Sequence, residues 1–226
     1  MPLPHGNFSD CSDDELQTLL NKEEVRELSS RLFTYDFCIN YFHEFKVNGE
    51  KPCDKKNLEK SLLHLGFYLA SWGMYRGSSF LHKQSLLGLQ GAVEAVSEIA
   101  ASSPAIWDLD VEKYSEPRSV EIILETKSHL KKAFGNHGPS ETLITKIMLG
   151  VFGIVPAFDT YFKKATGLRV LDEKSIATIL QIYEKRKALV NRNRQPTKNI
   201  NGCETTLRYS QAKVIDLIYF AKGKLL

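Results

Sequence analysis

The sequence predicts an all-α fold of roughly eight to ten helices, and three observations carry that expectation. Apolar residues recur at the helical period of 3.6 through most of the chain. No run of period-two alternation marks a strand. Cap and breaker residues such as Ser12, Gly49, Pro52, Pro104, Gly135 and Asp172 divide the periodic segments. With 226 residues the chain can bury roughly 70% of its unfolded surface, enough for a core without disulfide or metal staples. We expect a single helical domain over 1–226, in two packed halves around a helix-hairpin-helix element. One half is 1–102 plus 206–226, and the other is 103–205 with a hairpin at 135–142.

Ser12-Asp13-Asp14-Glu15 has the form of a capping box and is followed by Leu16, Leu19 and Leu20 at helical spacing, so the first helix starts there. A second helix is expected from Glu23 to Phe45, its wide apolar face built from Val25, Leu28, Leu32, Phe33, Phe37, Tyr41 and Phe42. Gly49 and Pro52 end it. The third, about Lys55 to Tyr75, carries Leu58, Leu62, Leu65, Leu69 and Trp72 and stops at Arg76-Gly77. Gln84 to Ser102 is a fourth, closed by Ser103-Pro104. Trp107 to Pro117 is an acidic loop, and Ser119 to Phe134 resumes the helical period before Gly135. Two more helices lie within the central stretch Gly135–Gly167. Another follows Asp172 with Ile176, Ile179, Leu180 and Tyr183. A polar loop spans Arg194 to Thr206, and the last helix uses Leu207, Val214, Leu217, Ile218 and Phe220.

The net charge of +3 decides little about partners, but its distribution is uneven. Acids dominate Asp10 to Glu27, whereas Lys185, Arg186, Lys187, Arg192, Arg194 and Lys198 crowd a late stretch. Such a run is either a solvated helix end, where cations suit the dipole, or a phosphate-contacting patch. Cys11, Cys38, Cys53 and Cys203 are scattered, without a C-x-x-C pair or a close Cys/His group. They suggest neither a zinc site nor a disulfide framework, so no metal and no cofactor are expected, and the cysteines are read as reduced thiols of a cytoplasmic protein. The start lacks a basic segment followed by an apolar one, and the longest apolar run, Ile147 to Phe158, is short and broken by Gly and Pro. The expectation is a monomer with no membrane partner.

The central stretch, GNHGPSETLITKIMLGVFGIVPAFDTYFKKATG, places one acid, Asp159, between a proline-led turn and a new helix. Asp is a preferred N-cap, because its carboxylate accepts bonds from the free N–H groups of the first turn. The same position keeps a carboxylate ionised, so capping does not preclude catalysis. A second cluster lies at the end of the third helix, where Trp72, Tyr75, Arg76 and Phe80 gather. Flat rings can stack a base and an Arg can grip a phosphate, but the same residues can also be a buried Trp and Phe with Arg76 on helix carbonyls.

The central stretch resembles the helix-hairpin-helix DNA glycosylases over some thirty residues. In that family a tight Gly/Pro hairpin leads into a helix, and after an apolar helix a Val-Asp-Thr opens the next. Here the hairpin corresponds to Asn136-His137-Gly138-Pro139-Ser140, the helix start to Glu141-Thr142-Leu143, and the last element to Ala157-Phe158-Asp159-Thr160. Pro139 or Ser140 stands near where the family's second glycine is expected. The resemblance implies double-stranded DNA as partner and Asp159 as the catalytic aspartate that aids an attacking water and stabilises the sugar cation. It implies that backbone N–H groups at Asn136, His137, Gly138 and Ser140, with Thr142, hold a DNA phosphate, aided by Lys185, Arg186 and Lys187. Glu141 falls where bifunctional members keep a lysine nucleophile, so the implied activity is monofunctional, without Schiff-base chemistry. Lys146 lies about 140° round the helix from Glu141 and is not expected to replace that lysine. The cluster cysteines of some members are missing. A base must be flipped from the duplex to be excised, and Trp72, Tyr75, Arg76, Phe80 and Glu141 are the pocket or wedge candidates. Damaged bases and modified bases of foreign DNA both fit, so DNA repair and phage defence are alike open.

Two other classes fit the same residues. A non-catalytic helical module binding nucleic acid or protein would use Asp159 only as a cap and the basic run for contact. A small helical regulator or toxin-type protein would bind a partner through the Trp72 to Phe80 surface.

Overall fold

The computed structural model describes residues 11–23, 29–77 and 79–226. Among them are ten α-helices and a two-stranded hairpin, in line with the all-α expectation. The capping box is formed: Ser12 N–H donates to Glu15 Oε2 at 2.7 Å and Glu15 N–H to Ser12 Oγ at 3.2 Å, opening α1 (Asp13–Glu23). The expected start of the second helix, with Val25 and Leu28, lies outside the described residues. The helix itself, α2 (Phe33–Asn48), is shorter at its N-terminus than the apolar pattern suggests, because 29–32 form turns. Gly49 closes it in the left-handed region, φ 69°.

Helix α3 (Leu58–Ser71) is followed by two short 3₁₀ turns, Phe80–Lys83 and Leu86–Leu89, and then by α4 (Gln90–Ser102). The acidic segment after Pro104 is less irregular than a loop, since it coils into 3₁₀ turns at Pro104–Asp108 and Val111–Lys113. Helix α5 (Pro117–Ala133) takes Pro117 in its first turn, where the missing N–H costs nothing. A 3₁₀ turn, Gly135–His137, leads to α6 (Glu141–Phe152), and α7 (Thr160–Thr166) and α8 (Glu173–Lys185) follow. The chain then breaks at Arg186 before α9 (Lys187–Arg192).

The absence of strands is corrected by β1 (Pro196–Lys198) and β2 (Glu204–Arg208), an antiparallel pair turning through Gly202, φ 79°. Strands of three and five residues are too short to display a period, and β2 alternates only between exposed and half-buried positions. Leu207 therefore belongs to the hairpin, and the last helix, α10 (Gln211–Leu225), starts later than its apolar pattern indicates.

Helix α6 is the axis of the core. Every residue from Leu143 to Phe152 is buried, and α2, α3 and α5 pack around it. Gly150 allows the approach of α3, because a Cβ there would lie 2.4 Å from Cε1 of Tyr68. Helix α7 lies along α10, with Gly223 of α10 against the Tyr161 carbonyl, which a Cβ would meet at 2.1 Å. The buried apolar residues of these elements form one continuous cluster from Leu16 to Tyr219. Among the described residues no helix is long and apolar enough to cross a membrane.

Candidate active site

Asp159 follows a segment whose backbone is paired with side chains from α6, from α10 and its N-cap, and with Tyr114. Gly153 ends α6 with φ 72°, its N–H on the carbonyls of Met148 and Leu149. The chain then runs irregularly to Asp159, so its polar groups need partners outside any helix. Ser210 Oγ donates to the Gly153 carbonyl at 2.6 Å, and the Tyr114 hydroxyl donates to that of Ile154. Asp216 Oδ1 accepts from Ala157 N–H at 3.0 Å, and Thr145 Oγ1 accepts from Phe158 N–H at 2.8 Å. Thr142 Oγ1 donates to the Phe158 carbonyl at 2.7 Å. Asp159 itself caps α7, Oδ1 accepting from Phe162 N–H at 2.9 Å.

The second carboxylate oxygen faces a lysine. Lys146 Nζ lies 3.6 Å from Asp159 Oδ2, the two side chains being 5% and 14% exposed. One turn along α10, Lys213 Nζ lies 3.1 Å from Asp216 Oδ2, and this pair is just as enclosed. Both ammonium groups sit over the Trp72 ring, at 5.2 and 5.5 Å from its centroid, and the Arg31 guanidinium lies 4.9 Å from it. Lys213 also stands 4.6 Å from the Tyr35 ring. The indole Nε1 of Trp72 is buried without a hydrogen-bond partner among the described residues. Phe220 meets Trp72 edge-on at 5.7 Å, and Tyr161, 38% exposed, meets Phe220 at 5.0 Å, which carries the aromatic cluster to the surface.

Burial dominates the electrostatics. It pushes the Asp159 carboxyl above its ordinary range, with Asp216 adding to the rise and Lys146 and the amides of Phe162 and Tyr161 opposing it. Burial likewise lowers the Lys146 ammonium, with Lys213 adding, against the pull of Asp159 and Asp216. Two acids and two bases are enclosed together, and burial penalises the charged forms of Asp159 and Lys146, an environment that active sites share with structural ion-pair networks. A carboxylate so placed can stabilise a cation or take a proton from water.

The other residues singled out in the sequence are distributed differently. Glu141 accepts from Lys127 at 2.7 Å, Lys131 at 3.1 Å and Leu171 N–H at 2.7 Å, joining α5, α6 and the segment before α8. Burial alone would raise its carboxyl, but these donors hold it below the usual range. Thr142 is taken up by the Phe158 carbonyl and by Lys163 Nζ at 3.3 Å, and Ser140 caps α6 through Leu143 N–H at 3.2 Å. Asn136, His137 and Gly138 remain exposed on the hairpin, Gly138 with φ 58°. Phe80 stacks on His137 at 5.0 Å and meets Phe134 at 5.4 Å, so it clamps the hairpin rather than standing with Trp72 as a wedge. Tyr75 has a buried hydroxyl with no partner among the described residues, and Arg76 lies exposed with its guanidinium folded against Gly73.

The basic run is divided by the break between α8 and α9. Lys185 and Lys187 are exposed, but Arg186 is buried, paired with Asp13 Oδ1 and donating to the Cys11 carbonyl at 2.6 Å. As the C-cap of one helix and N-cap of the next it turns inward, which removes it from any phosphate contact. Sequence reasoning passed over Lys213 and Asp216 and weighed Lys146 only as a replacement for the family's lysine. Their signal was present: Lys146 is the one ionisable residue in the apolar run from Leu143 to Phe152, and a charged group with no polar face to occupy needs an internal partner. Lys146 is indeed turned away from Glu141, but Asp159 lies on its side of the helix.

Two clefts, of 710 and 490 Å³, are lined by other residues than Asp159. No group of three or more candidate metal ligands occurs among the described residues. Comparison of the chain with protein-family models, with curated proteins and with solved structures finds no match.

Proposed function

We propose that the chain is a monofunctional DNA N-glycosylase, a cytoplasmic monomer that hydrolyses the bond between a flipped base and its sugar, with Asp159 as the catalytic acid. The observation that carries this reading is the enclosed Asp159 carboxylate, fixed at the mouth of α7 beside Lys146 and behind a hairpin, α6 and a Gly/Pro turn in the order that the glycosylase resemblance implies. As the glycosidic electrons leave with the base, the ionised carboxylate stabilises the positive sugar; as water adds to the sugar carbon, Asp159 takes its proton. Lys146 is the counter-ion that opposes the rise burial imposes on this carboxyl. Exposed Asn136, His137 and Gly138, with Lys185 and Lys187, are the phosphate contacts, and Trp72 is the stacking surface for the base. Glu141 takes the place of the family's lysine, and the two amines beside it, Lys127 and Lys131, are engaged by its carboxylate rather than free to form a Schiff base.

A second reading, a non-catalytic helical module binding nucleic acid or protein, is favoured by one observation. The Asp159 carboxylate is fully used as a cap and ion-pair partner, and it lines neither of the two clefts. Incubation with a panel of duplexes carrying damaged or modified bases, followed by alkali, separates the two. Strand breaks that vanish in Asp159→Asn support the enzyme, and binding without base release from any duplex supports the module.

A further inference from the structure

The 710 Å³ cleft has no place in that reaction. It is a groove between α5 and α8, floored by Val120, Leu124 and Leu180 with the small Ala177 beside them. Val120, Leu124 and Leu180 pack on the core with their inner sides and stay half-exposed on the outer. The walls carry Glu121 and Glu125, one turn apart on α5, and Glu173 at the start of α8. The described lining holds no lysine or arginine. Glu121 is paired with Arg118 across the surface at 2.6 Å, whereas Glu125 and Glu173 form no salt bridge among the described residues.

We propose that this groove receives an amphipathic helix of a partner protein, its leucine-like side chains over Val120, Leu124 and Leu180 and its lysines or arginines against Glu125 and Glu173. An apolar trough between two helices is the shape that a third helix fills, with anchors at i, i+3, i+4 and i+7. Arg118 is taken up by Glu121, and the carboxylates of Glu125 and Glu173, in no salt bridge among the described residues, select a basic partner and repel nucleic acid or an anionic membrane. The basic segment of a second copy of this chain does not supply the ligand. Its basic segment from Lys185 to Arg192 has already spent its apolar residues, Leu189 and Val190, which are fully buried in its own fold.

The test uses the full chain and two synthetic helical peptides of 16 residues, about 24 Å long. Both carry leucine at i, i+3, i+4 and i+7, one with lysine on its polar face and one with glutamate. Fluorescence anisotropy should show saturable binding of the leucine/lysine peptide that weakens as salt is raised. The leucine/glutamate peptide should bind at least about tenfold more weakly. Glu125→Lys with Glu173→Lys should invert that preference, and both positions are exposed, so the fold is retained. Ala177→Arg, which fills the groove from an exposed position, should abolish binding of either peptide. Equal binding of the two peptides, no inversion by the charge reversal, or a dimer of the chain that Ala177→Arg dissociates would overturn the proposal.

Discussion

Replacing Lys146 and Asp159 singly and together separates a pair kept for stability from a pair kept for chemistry. Their side chains are 5% and 14% exposed and 3.6 Å apart, so each is the other's compensation for lost hydration. Removing one partner of such a pair costs about 3–5 kcal/mol, because the survivor is left charged and unpaired. For Asp159→Asn the loss should fall at the lower end of that range, since Asn still caps α7 and Asp216 still attracts Lys146. In a chain of this length 1 kcal/mol moves the melting temperature by about 2–4 °C, so Asp159→Asn should melt roughly 6–12 °C lower and Lys146→Met roughly 6–20 °C lower. The double variant should return to within about 1 kcal/mol of the parent or exceed it, which with single losses of about 3 kcal/mol or more is a coupling of about 5 kcal/mol or more. The pH dependence has a definite sign. Asp159 is raised in the fold, so its contribution is favourable below its unfolded pKa and is lost as pH rises through its folded one. Lys146 is lowered, so its penalty is present below its folded pKa and disappears as pH rises toward its unfolded one. The advantage of the double variant over the parent should therefore be greatest near neutral pH and shrink toward both acid and alkali. Thermal unfolding followed by circular dichroism across that range measures it; additive single losses, or an advantage that does not change with pH, would refute the reasoning.

In a base-release assay Asp159→Asn should lose about 10²–10⁴-fold in rate while DNA binding is retained or tightened, as a negative charge near the phosphates is gone; unchanged release would return Asp159 to the role of a cap. Lys185→Glu with Lys187→Glu should weaken DNA binding and flatten the plot of log affinity against log salt by about 0.9 per phosphate contact removed. Arg186 is left out of that variant because its reversal would strand Asp13 and unfold the α8–α9 corner. Borohydride should trap no covalent complex with abasic DNA, since Glu141 is held by Lys127 and Lys131 and the Lys146 amine is enclosed against Asp159; a trapped species lost in Lys146→Met would make that amine a nucleophile. Gly150→Ala should destabilise by about 1–3 kcal/mol, because its Cβ would press on the Tyr68 ring between α3 and α6, and a denaturant midpoint unchanged from the parent would contradict that packing.

What the sequence determined by itself is what local physics governs. The capping box at Ser12 and Glu15, the caps at Asp159 and Asp172 and the glycine that follows α5 lie within a few bonds of the groups they satisfy, and the apolar period marks the helices. Asp159 could be singled out for the same reason. The strands β1 and β2 were beyond reach because neither is long enough to show a pattern, and they are fixed by pairing with each other and with Asp36 and Asn40 of α2, some 160 residues earlier in the chain. Only the tertiary structure decided the partners of the charges. Lys146 meets Asp159 because the Gly153–Phe158 segment folds back along α6, a path set by Thr142, Thr145, Ser210 and Asp216. Arg186 leaves the exposed basic run because the α8–α9 break points it at Asp13, and Glu141 is paired because α5 brings two lysines to it. A charge buried at a distance in sequence has no local signature, since the free energy that makes it tolerable comes from a partner that only the fold supplies.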